Sequence, residues 1–482
     1  MAHSSNPPGK IDPYAVTGGK AGAAAAVRIR VQPDAWTVLS GSTAGRVSAG
    51  FTYVERNHMF QWLEGSRAQS AEWPIAVVDE AEYEVAVVIA NDADCDLTVA
   101  LGDQILTHQL GADGWTRVEL GRVSLTKGEH QVRLMIDAAG TVRVCALELV
   151  QPATKQAHLT DALAVRQTPE WFKAAGLGLM FQWTNRATPP TGPIKQWEQK
   201  VNDFELQHLL DAVEASGASF VIWSITWGQQ YLSAPNAALD AVISGRTRQR
   251  DLLGELADRL QAKGVRLIFY YHYGYDCYHS KDPEWMDASG GYRPDKTAFF
   301  DHVMRIIAEV GQRYGDKLNG WFFDGGHRYY DTHYDGSPAH GMLSVSFQQL
   351  GHAARTGNPK RVICYNPWVK PRYTEYQDFF AGEGKTGFSG ESLEDGVFKD
   401  GPQAGLMAFG CRLLEGRWGH IDENTPIPAP QFTADKLATI ISQARLNRHP
   451  LAINLEMYED GSVSPASIEV LRDAKRISVR AE

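Results

Sequence analysis

The sequence has little cysteine and no cysteine motif. Its five cysteines, Cys95, Cys145, Cys277, Cys364 and Cys411, are odd in number and far apart. That excludes a paired-cysteine zinc or redox motif and a disulfide framework, and it fits free thiols in a reducing compartment. A basic excess is also missing: 47 Lys and Arg stand against 57 Asp and Glu, a net charge of −10. Without surplus cations to neutralise phosphates, nucleic acid is excluded as a partner. Nowhere do about 18 apolar residues follow one another, so no membrane-spanning helix is expected and no membrane partner. Neither a P-loop nor a glycine-rich dinucleotide turn is present, so no cofactor is expected. The opening MAHSSNPPGKIDPY lacks the charged and apolar regions of a signal peptide. The expected location is therefore cytoplasmic, or periplasmic or secreted if a leader was removed.

What is present is size and aromatic content. A chain of 482 residues, 43% hydrophobic and 22% charged, has an ordinary globular composition. Its length suits two or three domains, or one large barrel with an accessory. It holds 13 Trp, 18 Tyr and 18 Phe, and nine of the indoles fall between Trp171 and Trp418. Such a stock serves either core packing or a site that offers flat apolar faces to a ligand.

The chain reads as two halves after an N-terminal extension over residues 1–25. Residues 26–155 show short alternating runs at 82–90, 96–101, 115–120, 130–136 and 141–149. Turn signals separate them, Ala139-Gly140 among them. This pattern predicts an antiparallel β-sandwich. Residues 160–482 alternate eight apolar runs with amphipathic stretches. The runs are 176–183, 219–225, 266–273, 320–326, 361–367, 378–383, 405–412 and 451–457; the helical stretches are 202–216, 247–263, 296–314, 343–355, 433–447 and 464–475. Gly264 and Gly315 fall where helix C-caps belong. The alternation predicts an irregular (β/α)8 TIM-like barrel, with no visible helix between runs five and six or six and seven.

A barrel places its chemistry at the C-terminal strand ends. Run one ends in Gln182-Trp183, and Trp227 lies just past run two. Run three ends in Tyr271 and His272. Run four ends in Asp324, followed by two glycines and His327. Run five ends in Asn366 with Trp368 beyond it, run six in Glu383, and run seven leads through Glu415 to Trp418. Two carboxylates on one cleft suit glycoside hydrolysis: one is ionised and the other is kept protonated by apolar surroundings. Trp faces stack on sugar C–H faces, while Tyr, His, Gln and Asn bond its hydroxyls. Catalytic candidates are thus Asp324 and Glu383, with Glu375, Glu391, Glu394 and Glu415 competing for the second role. Substrate-binding candidates are Gln182, Trp183, Trp227, Tyr271, His272, His327, Asn366, Trp368 and Trp418. His327, His333 and Asp335 have no regular ligand spacing, so no metal site is expected.

Six segments in order then resemble the catalytic barrel of glycoside hydrolase family 29, the α-L-fucosidases. They are WFKAAGLGLMFQW (171–183), residues 204–223, RDLLGEL (250–256), GWFFDG (320–325), DFFAGE (378–383), and Asn454 with Asp460-Gly461. The resemblance implies a retaining mechanism, with Asp324 as nucleophile and Glu383 as acid/base. It also marks departures. Gln182 stands where the family has histidine, Thr226-Trp227-Gly228-Gln229 fills the place of a His-His pair, and Pro367 is the nearest fit to an arginine. The implied activity is an exo-acting α-glycosidase on an oligosaccharide or glycoside, with a rewritten sugar pocket for another deoxy-sugar, a pentose or a furanoside. A transglycosylase would use the same carboxylates. Two further alternatives are a carbohydrate-binding protein with a decayed site and a structural assembly protein. The N-terminal half resembles accessory carbohydrate-binding modules in WTRVEL (115–120) and KGEH (127–130). Otherwise it is a domain that packs on the barrel, mediates homo-oligomers or lends segment 53–62 to the active site.

Overall fold

The structure, a computed structural model, describes residues 29–56, 60–273, 282–291, 297–325, 347–368, 370–388 and 390–480. The extension over 1–25, residues 57–59 of segment 53–62, and His327, His333 and Asp335 lie outside the described residues.

Residues 29–150 form strands around one apolar core, paired antiparallel except for Ile29–Val31, which runs parallel to Ile75–Val77 where the sequence pattern predicts antiparallel pairing throughout. Strand Gly128–Val150 runs through its middle. One edge pairs with Phe60–Val77, and the other pairs first with Cys95–Leu101 and then with Ala81–Asn91. Ala139-Gly140, expected as a turn, is instead a bulge inside this strand, between the pairs Ala138↔Arg67 and Thr141↔Ser66. Two inserted residues preserve the period of two, so Val132, Leu134 and Ile136 share a buried face with Val142 and Val144. The apolar set therefore stays on one face, where a single inserted residue would have turned the residues beyond it to the other face.

Helix Pro152–Val165 joins the halves. The sequence pattern misses it because only Ala162 is buried along it. Lys155 pairs with Glu84 and Glu119 of the first half, at 2.8 and 2.6 Å. His158 packs edge-on against Trp36 on one side and Tyr376 on the other. The helix thus contacts both halves.

The second half carries eight parallel strands: β1 (Leu177–Phe181), β2 (Phe220–Ser224), β3 (Arg266–His272), β4 (Gly320–Asp324), β5 (Val362–Tyr365), β6 (Phe379–Glu383), β7 (Met407–Leu413) and β8 (Leu451–Leu455). Their ladder order is β5-β4-β3-β2-β1-β8-β7-β6. All eight match apolar runs in the sequence, as expected of strands buried on both faces. Helices Leu206–Ser216, Leu252–Ala262, Thr297–Tyr314, Phe347–Ala354, Ala434–Leu446 and Pro465–Arg480 follow β1, β2, β3, β4, β7 and β8. Among the described residues no helix lies between β5 and β6 or between β6 and β7. Gly264 and Gly315 take positive φ, +71° and +48°, at the ends of their helices.

The end strands β5 and β6 meet through Asp378. Its N–H donates to the Ile363 carbonyl at 2.8 Å. Its carboxylate accepts from Ile363 N–H at 2.7 Å, from Gln167 N–H at 2.7 Å and from Arg355 at 2.7 Å. Burial, opposed by Arg355, raises the Asp378 carboxyl to about 6. A side chain thus supplies the acceptor that a ladder partner would give elsewhere.

Side chains alternate across this sheet. One face, with Leu179, Phe181, Trp223, Phe269, Trp321 and Ile363, packs under the helices. The inner face, with Met180, Ile222, Tyr270, Phe322, Cys364 and Cys411, packs on itself.

Candidate active site

The same alternation decides what reaches the C-terminal edge of the inner face. Cross-strand pairs Tyr270↔Phe322 and His272↔Asp324 put these four residues on one side. A cavity of about 40 Å³ opens there. Gln182, Tyr270, Asp324, Asn366 and Glu383 supply its polar lining; Met180, Trp227, Phe322, Cys411 and Trp418 supply its apolar lining. Met180 and Phe322 stand two residues below Gln182 and Asp324 on their strands, so they form the floor.

Asp324 and Glu383 end β4 and β6. Asp324 accepts hydrogen bonds from Tyr270 Oη at 2.7 Å, from Gly325 N–H at 2.8 Å and from Asn366 Nδ2 at 3.3 Å. Glu383 accepts from the same Asn366 nitrogen at 2.8 Å. One shared donor places the two accepting oxygens at most about 6 Å apart. The Glu383 carboxyl is raised above the usual carboxylate range, first by burial and second by the nearby Asp324 charge, while the Asn366 hydrogen bond opposes both. Gly325 has φ +72°, and a Cβ there would lie 2.3 Å from His272 Nε2, so only glycine lets the chain turn away after the carboxylate.

The walls are held from behind. Gln182 accepts a hydrogen bond from Ser224. The Arg186 guanidinium lies 5.5 Å from the Trp227 ring centroid. Trp418 sits on a segment tied to Glu456, which accepts from Gly416 N–H at 3.2 Å and Arg417 N–H at 2.9 Å and contacts His420 Nδ1 at 3.1 Å. Asn454 donates to the Trp418 carbonyl at 2.8 Å.

Of the sequence candidates, the structure gathers Asp324, Glu383, Gln182, Trp227, Asn366 and Trp418 around the cavity. It does not bring Trp183 or Tyr271 there. Both take the helix-covered face, where Trp183 donates to the Glu459 carbonyl at 3.3 Å and Tyr271 to Gln230 at 2.8 Å. His272 is 5% exposed and lies against Gly325, beside Asp324 but outside the cavity lining. Trp368 is outside that lining too, and its backbone N–H donates to Asn366. His327 lies outside the described residues. Tyr270, Met180, Phe322 and Cys411 were missed; the period of two, counted from Asp324, is the signal that would have chosen Tyr270 over Tyr271. The indoles are mostly core. Trp183, Trp223, Trp285 and Trp321 are each at most 1% exposed, and only Trp227 and Trp418 line the cavity.

The competing carboxylates have other partners. Glu375 pairs with Arg166 and Arg372, Glu391 with Lys385, and Glu394 with Lys399. Glu415 is fully buried, held by the Ser467 hydroxyl and the Glu456 N–H. Larger hollows exist elsewhere. One of about 710 Å³ lies by helices Leu206–Ser216 and Pro465–Arg480, and one of about 380 Å³ lies at the junction of the two halves. Neither is lined by a strand-end carboxylate pair.

No protein-family model matches the chain, and no curated protein matches it. Among solved structures, the chain is similar to the alpha-L-fucosidase AlfC from Lactobacillus casei in complex with its alpha-L-fucose product. The identity is 16% and the TM-score 0.43, over 67% of this chain and 99% of that one. Unliganded AlfC gives 16% and 0.45 over the same shares. A bacterial fucosidase with a monovalent iminocyclitol inhibitor gives 15% and 0.47, over 65% of this chain and 75% of that one. These values describe a distant overall likeness and assign no residue a role.

Proposed function

We propose that the chain is a retaining, exo-acting α-glycosidase acting on a neutral glycoside. Its catalytic unit, residues 160–482, is an irregular (β/α)8 barrel, preceded by a β-sandwich over 26–155. The observation that carries the reading is the carboxylate pair: Asp324 and Glu383 face one cavity through a single shared donor. A separation of about 5–5.5 Å belongs to retaining enzymes and about 6.5–9.5 Å to inverting ones, and one oxygen of each carboxyl lying within about 6 Å of the other is compatible with retention.

The roles follow from the surroundings. Three donors converge on Asp324, which suits an anion. Burial and the neighbouring charge keep the proton on Glu383. An Asp324 oxygen attacks the anomeric carbon as the glycosidic C–O bond breaks, and the Glu383 proton passes to the leaving oxygen. Glu383 then takes a proton from water as that water's oxygen bonds to the anomeric carbon and the ester bond to Asp324 breaks.

Several features support the narrower description. The floor of Met180 and Phe322 closes the pit at its inner end, which supports an exo-acting reading. No Lys or Arg lines the cavity among the described residues, which suits an uncharged ring. Trp227 and Trp418 offer apolar faces to its C–H groups. Gln182 and Trp227, at positions where the resembled family has histidines, support a sugar other than fucose: another deoxy-sugar, a pentose or a furanoside.

The test is a panel of p-nitrophenyl α-glycosides spanning fucose, galactose and arabinofuranose, with product stereochemistry read by NMR. The expected outcome is turnover of at least one, with retention. Turnover confined to β-glycosides, or inversion, would overturn the reading.

A further inference from the structure

Asn366 makes an unusual set of contacts for a residue that resembles a sugar-hydroxyl donor. Its backbone N–H donates to the Phe323 carbonyl at 2.9 Å and so extends the β4–β5 ladder. Its side-chain Oδ1 accepts from Trp368 N–H at 2.9 Å. Its Nδ2 donates to Asp324 Oδ1 at 3.3 Å and Glu383 Oε2 at 2.8 Å. An amide nitrogen has two protons, and the two carboxylates take both. No donor remains for a substrate. Turning the amide over would set its oxygen against the ionised Asp324 and its nitrogen against the Trp368 N–H, so the orientation shown is the favoured one.

The backbone around it is shaped for this orientation. Trp368 has φ +53°, a left-handed conformation that a bulky residue avoids. That conformation accompanies the aiming of its N–H at Asn366. Lys370 N–H closes the turn on the Pro367 carbonyl at 3.1 Å. Asn366 itself is 2% exposed. Strain of this kind persists where the surroundings over-determine a conformation, and here it lies next to the carboxylate pair.

We propose that Asn366 is a positioning residue that bridges the two carboxylates, fixes which Glu383 oxygen carries the proton, and sets how readily that proton leaves and returns. This rests on the glycosidase reading of Asp324 and Glu383. With Oε2 engaged by Asn366, the proton sits on Oε1. The Asn366 hydrogen bond also favours the ionised form of Glu383, against burial and the Asp324 charge. The second half of the reaction needs that ionised form, because Glu383 must then accept a proton from water.

The experiment titrates Glu383 directly, by carboxyl carbon-13 NMR of uniformly labelled protein with the signal assigned by its loss in Glu383→Gln. Removing the bridge in Asn366→Ala is expected to move the Glu383 midpoint upward by about one pH unit. The isosteric Asn366→Asp keeps the volume, adds a third acid, and is expected to move it further in the same direction. It carries the test if the alanine variant does not fold. An unmoved midpoint in a folded variant overturns the proposal. A kinetic arm uses the p-nitrophenyl α-glycoside that the wild type cleaves and its methyl counterpart, whose leaving group needs the acid. Asn366→Ala is expected to slow the methyl glycoside about tenfold more than the nitrophenyl one; equal slowing of both counts against the proposal. If the wild type cleaves no α-glycoside, the glycosidase reading falls, while the titration still decides what Asn366 does to Glu383.

Discussion

Two pairs of carboxylates stand at the C-terminal edge of the parallel sheet, with opposite surroundings. Asp324 and Glu383, on β4 and β6, share one amide donor and face a cavity. Glu415 and Glu456, just past β7 and β8, are closed in. Glu415 accepts from the Ser467 hydroxyl and, at 3.1 Å, from Glu456 N–H. Glu456 holds Gly416, Arg417 and His420. Each pair has a glutamate whose carboxyl burial has raised: Glu383 in the first, Glu415 in the second, to about 7. A shifted protonation midpoint therefore does not mark the active site by itself. Among the described residues, what separates the pairs is space: both Glu415 oxygens are taken by protein donors, whereas a donor reaches only one Glu383 oxygen. The second pair instead shapes the segment that carries Trp418 into the cavity wall.

The sharpest way to break this comparison is to remove one charge from each pair. Asp324→Asn is expected to cut turnover at least about 1,000-fold, roughly 4 kcal/mol of barrier, with the fold intact by circular dichroism. Glu415→Gln is expected to keep turnover within about threefold at equal folded content, because Glu415 does not line the cavity that holds Asp324 and Glu383. Comparable losses in both variants would merge the pairs into one functional unit.

The pairs should also differ in what pH does to them. Glu415 binds its proton more tightly folded, with a midpoint raised from 4.5 to about 7 by burial, so its protonated form stabilises the fold. That contribution is complete below about pH 4.5 and is lost as pH rises through 7. Measured by urea unfolding, the wild type should lose about 3 kcal/mol relative to Glu415→Gln between pH 4.5 and 8. Glu383 shifts in the same direction, so Glu383→Gln should show the same sign of stability change. Only Glu383, however, should also govern the alkaline limb of the rate profile. A wild type that does not weaken relative to Glu415→Gln over this range would show that Glu415 is not held protonated.

Much of this arrangement is legible in the sequence, and the misses have physical reasons. Eight strands buried on both faces read as eight apolar runs, and Asp324 and Glu383 close two of them. Which neighbour faces inward depends on register. Choosing by chemical type favoured Trp183 and Tyr271, whereas counting in twos from Asp324 selects Phe322 and, through the ladder, Tyr270. Helix Pro152–Val165 lacks an apolar stripe because its contacts with the first half are ionic and aromatic. Asp378 looks like an ordinary acid before a strand. Its role at the β5–β6 seam exists only once the two end strands meet.

One indole from each face gives the mildest test of inner against outer face. Trp418 lines the cavity, while Trp183, next in sequence to Gln182, is 1% exposed under the helices and stacks on Trp223 with centroids 5.8 Å apart. Trp418→Ala removes an apolar wall from the substrate and is expected to raise KM about tenfold, near 1.4 kcal/mol, with little change in the urea midpoint. Trp183→Phe should do the reverse. It keeps a ring but loses the hydrogen bond to the Glu459 carbonyl, so the urea midpoint should fall while KM stays within about twofold. If Trp183→Phe instead raised KM with stability unchanged, the outward face would carry substrate, and the assignment of faces by alternation would fail at β1.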